Sequence, residues 1–128
     1  MKARLLALTL LGGAIAMSGH AQQRAMQAAP AEAEQPQTLP WQTMVSLRVL
    51  ERTHDEYAKL HGELVVYPVS KNKTRTYKWG GSSCPGRTLS DTNVLLLSQG
   101  LANKMKVQIE TKMGAGGAKC IVGFRLGY

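Results

Sequence analysis

Four stretches of the chain alternate apolar and polar residues with a period of two, the signature of strands with one buried face. Val45, Leu47 and Val49 alternate with Ser46 and Arg48. In Thr74 to Trp79, Arg75, Tyr77 and Trp79 share one side, while Thr74, Thr76 and Lys78 share the other. Met105, Val107 and Ile109 alternate with Lys106, Gln108 and Glu110; Cys120, Val122, Phe124 and Leu126 alternate with Ile121, Gly123 and Arg125. A fifth run, Leu64 to Val69, is β-branched and aromatic, with Pro68 near its end as suits an edge or a terminus. The basic turn Ser70 to Lys73 joins it to the next strand as a hairpin. Only Ser90 to Asn103 has helical spacing, with Val94, Leu97, Ser98 and Leu101 on one face and Leu95 and Leu96 flanking it. Ser90 is placed to cap it, Leu89 and Val94 to staple it, and Asn103 to stop it in a left-handed conformation. The order is strand, strand, strand, helix, strand, strand.

Open sheet edges invite pairing with other chains, so a small sheet of five strands is best served by closure. The predicted fold is mainly β with one helix (α+β): a five-stranded barrel like the OB-fold, with the helix over one end. A flatter antiparallel sheet crossed by the helix is the other arrangement compatible with this order.

The first forty residues follow different rules. Lys2 and Arg4 precede an uncharged run from Leu5 to Met17, which ends in the small-residue sequence Gly19-His20-Ala21. That order predicts a signal peptide, residues 1–21, cleaved after Ala21. The apolar run is shorter than the roughly 20 residues needed to span a bilayer, so no transmembrane segment is expected in the mature chain. Residues 22–40, with five Gln, five Ala and three Pro, hold too little apolar surface to offset the entropy of ordering and are predicted to form a disordered tether. The folded domain is then expected at residues 41–128, in the periplasm or outside the cell. Cys84 and Cys120 are the only cysteines. In the oxidising compartment that export implies, an even pair reads as a disulfide. Closing a loop of about 36 residues contributes up to about 4 kcal/mol in the chain-entropy model.

Sixteen Lys and Arg against eight Asp and Glu give a formal charge of +8, which favours acidic partners. Catalytic signals are poor. Gly114 to Lys119 lacks the spacing of a phosphate-binding loop and leads into a strand, so it reads as a hairpin turn. Thr53-His54-Asp55-Glu56 places acid and base side by side, where adjacent residues seldom face one point. His54 and His61 are too few for a metal site. Ser82, Ser83 and Ser90 lack any tie to a base. The reading is therefore not an enzyme, with no cofactor and no metal. Binding chemistry concentrates on the hairpin, where Lys71, Lys73, Arg75, Tyr77 and Trp79 fall at alternate positions with Lys78 and Arg87 nearby. Cations interleaved with rings suit anionic sugars or bases if the face is exposed. The same alternation is also met by Tyr77 and Trp79 as core residues, with the lysines keeping an edge soluble.

From Val45 to Leu126 the element order, with Cys84, the segment Asp91 to Lys112 and the run Cys120-Ile121-Val122-Gly123-Phe124, resembles the B subunits of bacterial AB-type toxins. That resemblance implies an OB-fold, assembly into a homo-oligomer and binding of glycans, and transfers no contact residue; the long tether departs from those compact subunits. The expected function is an exported, noncatalytic module that recognises an anionic glycan, an envelope component or a protein surface. An exported nucleic-acid-binding barrel and a periplasmic inhibitor or immunity-type protein are the alternatives.

Overall fold

The structure is a computed structural model and describes residues 34–128. The expected signal peptide and most of the expected tether lie outside the described residues. Among the described residues, six strands and one α-helix follow in chain order: β1 (Gln37–Thr38), β2 (Gln42–Val49), β3 (Gly62–Pro68), β4 (Arg75–Trp79), α1 (Asp91–Ala102), β5 (Lys106–Met113) and β6 (Lys119–Gly127). Antiparallel ladders join β5 to β2, β2 to β3, β3 to β4 and β5 to β6. A parallel contact between β4 and β6 closes the ring. The result is the predicted five-stranded OB-like barrel with one helix and the Cys84–Cys120 disulfide, Cα to Cα 5.7 Å. Among the described residues no helix is long and apolar enough to cross a membrane.

The domain starts upstream of Trp41. Gln37 and Thr38 pair with Thr111 and Glu110, and the Leu39 N–H donates to the Ile109 carbonyl at 2.9 Å. β1 and β2 thus run along β5 as one interrupted ribbon, with the register slipping across Leu39, Pro40 and Trp41. Proline has no N–H to give the ladder, so the interruption falls where Pro40 stands. This pairing places Gln37 to Leu39, within the stretch expected as a tether, along β5.

Bulges correct two of the four alternations. In β2, Met44 pairs with Val66 and Ser46 with Val65, so Val45 is an extra residue that reverses the phase of the strand. Gln42 and Met44 point inward, Val45 and Val49 are half exposed, and Leu47 alone of the expected inward trio packs on the core. In β6, Glu110 pairs with Gly123 and Thr111 with Ile121, which leaves Val122 as the bulge and turns Ile121 inward.

The core gathers Leu64, Val66, Tyr77, Trp79, Val107, Ile109 and Ile121 inside the barrel, with Leu97 and Met44 at the helix contact. Leu89 and Val94 pack beside them, as a staple requires. Ser90 Oγ accepts the Asn93 N–H at 3.2 Å and caps α1. The left-handed stop falls one residue later than expected: the helix ends at Ala102, Asn103 has φ −88°, and Lys104 takes the left-handed conformation at φ 55°. Met105 N–H to Gly100 O (2.9 Å) and Lys104 N–H to Leu101 O (3.1 Å) complete the paired end bonds of a Schellman cap. Gly100 is small for a packing reason, since a Cβ there would stand 3.0 Å from both Leu126 and Met44.

Tyr77 carries a buried hydroxyl without a hydrogen-bond partner. Tyr77→Phe is therefore expected to leave stability unchanged or raise it by about 1 kcal/mol, whereas Trp79→Ala is expected to cost about 3–5 kcal/mol. Urea unfolding of the variants measures both, and a large loss in Tyr77→Phe contradicts this packing. Cys84→Ser with Cys120→Ser is expected to lower stability by up to about 4 kcal/mol, read from the same curves.

Candidate functional site

The inward turn of Tyr77 and Trp79, 0% and 1% exposed, decides what the outside of β4 offers. These rings are core, not ligand contacts, because only the barrel interior can bury them. That corrects the reading of the hairpin as cations interleaved with exposed rings. Thr76 and Lys78 occupy the outer face, and Arg75 stands half-buried where the strand begins.

Beside β4 lies the glycine turn between β5 and β6, a short 3₁₀ turn at Ala115–Gly117 with Gly116 at φ 62° and Gly117 at φ 77°. The Gly114 N–H donates to Ala118 O at 2.6 Å, and the Ala115 N–H donates to Ser83 O at 2.9 Å. A Cβ at Gly114 would collide with the Ser83 carbonyl and Cys120 Sγ, so only glycine lets the turn sit against the disulfide loop. A third wall comes from the irregular loop between β2 and β3. Ser82 and Ser83 donate their N–H groups to Ala58 O and Lys59 O, each at 2.9 Å, which ties Lys59 to the same place.

Together these walls enclose a groove of about 630 Å³ lined by Lys59, Arg75, Thr76, Lys78, Ser83 and residues 115–119. Four cations, Lys59, Arg75, Lys78 and Lys119, border it, and no carboxylate does. Among the described residues the ion pairs are those of Arg48 with Glu56 (2.6 Å) and Glu63 (3.7 Å), so the four groove cations have no paired anion. Like charges held together without a counter-charge make a local positive potential that draws anions. A smaller cleft of about 220 Å³ shares Arg75 and Lys119 with the groove and includes Glu34, whose Oε1 accepts the Met113 N–H at 3.3 Å. A cleft of about 760 Å³ lies between the β2–β3 loop and the start of α1, but Glu51, Arg52 and Asp91 give it mixed charge.

Of the residues singled out in the sequence, Arg75 and Lys78 meet in the groove. Lys71 and Lys73 stand exposed on the turn before β4, outside its lining. Arg87 serves the fold instead. Its guanidinium donates to Met113 O at 2.6 Å, and its carbonyl accepts the Gly80 N–H at 2.8 Å. Lys59 and Lys119 were missed. The disulfide could have pointed to Lys119, since the bridge at Cys120 fixes its neighbour against the loop of Cys84. Lys59 sits in a loop without periodicity, and no local pattern announces it.

The loop that carries Lys59 is braced at its start. Arg48 donates a 2.6 Å hydrogen bond to Glu56 Oε2, and its charge acts in the same direction, so the Glu56 carboxyl is held below the usual carboxylate range. Further along, the rings of Tyr57 and His61 stack with centroids 4.1 Å apart, and His61 Nδ1 lies 2.7 Å from Thr88 Oγ1. A lowered folded pKa means that the brace acts above the ordinary carboxylate pKa and is lost as pH falls through the folded value. Carbon-detected NMR titration is expected to show the Glu56 midpoint rising toward the ordinary value in Arg48→Ala; an unmoved midpoint contradicts the pairing.

No known family model matches the chain, and neither the curated proteins nor the solved structures compared with it show significant similarity.

Proposed function

We propose that this chain is an exported, noncatalytic binding module that holds an anionic partner in the groove between β4, the glycine turn and Lys59. The observation that carries the reading is the convergence of Lys59, Arg75, Lys78 and Lys119 on one concavity with no carboxylate in its lining. The location adds support. The groove is built from the loop between the first two barrel strands, the third barrel strand and the loop between the last two, and small barrels of this kind bind chains on such a surface. The disulfide and the N-terminal export pattern support an oxidising compartment.

Nucleic acid is the weaker partner. Single-strand binders stack bases on aromatic side chains as well as gripping phosphates. No aromatic residue lines this groove, and Tyr77 and Trp79 face the core beneath it. Charge recognition of carboxylate, sulfate or phosphate groups suits the site better than base stacking.

Titration calorimetry of the full chain with a heparin oligosaccharide tests this. Affinity is expected to fall about a hundredfold between about 50 and about 200 mM salt, the response of roughly four charge contacts. Lys78→Glu with Arg75→Glu is expected to abolish binding, and Lys71→Glu, outside the groove, to leave most of it. Full binding by the groove variant, or equal losses in the two variants, contradicts the assignment.

A further inference from the structure

We propose that the groove's natural occupant is an extended acidic polypeptide that adds as a strand to the free edge of β4. The proposal rests on the anion-binding reading of the groove and specifies its ligand class.

One edge of β4 is used up by the ladder to β3, from Val66–Arg75 to Gly62–Trp79. On the other edge β6 meets it at one residue pair, Lys78 with Cys120. Before that point β6 gives way to the glycine turn, so Arg75, Thr76 and Tyr77 have no strand partner on this side. No turn or loop backbone group among the described residues bonds to these three either. Successive residues of a strand direct their N–H and C=O groups to opposite edges, so at least one of the three offers both toward the groove. Such an edge is a template for a further strand.

Charge selects what that strand carries. Lys78 lies on the outer face of β4, and Arg75 has the opposite phase. Successive side chains of an added strand also point to alternate faces, so neighbouring carboxylates meet a cation on each side. Lys59 and Lys119 border the same space. A sugar chain satisfies the charges but has no amide ladder to match the free edge. A polypeptide rich in Glu or Asp satisfies both.

The test uses the full chain and a capped peptide of Val and Glu residues. Two derivatives carry N-methyl groups on alternate amides, one set along each edge of the peptide, with charge unchanged. A heparin oligosaccharide serves as the comparison. Strand addition predicts that the parent peptide binds, that methylation along one edge weakens it about tenfold, and that methylation along the other changes it by no more than about twofold. Equal effects of the two methylated sets, including no effect, overturn the proposal by showing that charge alone is recognised. Binding of the oligosaccharide but not the peptide, with Lys78→Glu abolishing it, overturns strand addition and leaves the anion-binding groove standing. Failure of both ligands to bind overturns both.

Discussion

The barrel closes through a seam one residue pair wide. Lys78 of β4 and Cys120 of β6 run parallel at that point, and every other joint of the ring is an antiparallel ladder of two or more pairs. A lone parallel pair contributes little by itself, yet Tyr77, Trp79 and Ile121 stay dry only if it holds. Two devices hold it. The disulfide anchors Cys120 to Cys84 in the loop that follows β4, and the Ser83 carbonyl accepts the Ala115 N–H of the turn that leads into β6. The bridge therefore acts where the fold is thinnest, and its loop constraint supports a core that a domain of this size assembles with little to spare.

The narrowness of the seam also creates the groove. Because β6 pairs with β4 only at Lys78, the strand before it is left beside a turn rather than hydrogen-bonded to another strand. The loop bonds that tighten the seam bring Lys59 and Lys119 to the same opening. Burial of the two aromatic rings and the outward placement of Thr76 and Lys78 are two faces of one strand, set by its period of two. What strengthens closure thus also gathers positive charge outside it.

Much of this was legible in the sequence wherever a local rule governs. Val107 and Ile109 alternate without interruption and point inward, Ser90 caps the helix, and the cysteines pair across the predicted loop. The losses have identifiable causes. The bulges at Val45 and Val122 reverse a strand's phase, and neither position carries the glycine that would flag one. β1 is hidden in a Gln/Pro-rich composition because its order comes from a free stretch of β5, a tertiary fact. Alternation showed that Arg75, Tyr77 and Trp79 share a side but not which side faces water; of the seven residues read as a candidate site, Arg75 and Lys78 line the groove, Tyr77 and Trp79 turn into the core, and Lys71, Lys73 and Arg87 lie outside the lining. Lys59 arrives through the backbone bonds that Ser82 and Ser83 donate to Ala58 and Lys59, which no spacing along the chain encodes.

The most direct measurement is amide hydrogen exchange of the full chain with and without a saturating acidic ligand. Slowed exchange is expected at Thr76, at Lys78 and across Ala115 to Lys119, with the stretch from Thr88 to Asp91 unchanged. Protection confined to the cleft of His61 and Ser90, or spread evenly over the exposed lysines including Lys71 and Lys73, would contradict a groove that gathers charge at the barrel seam.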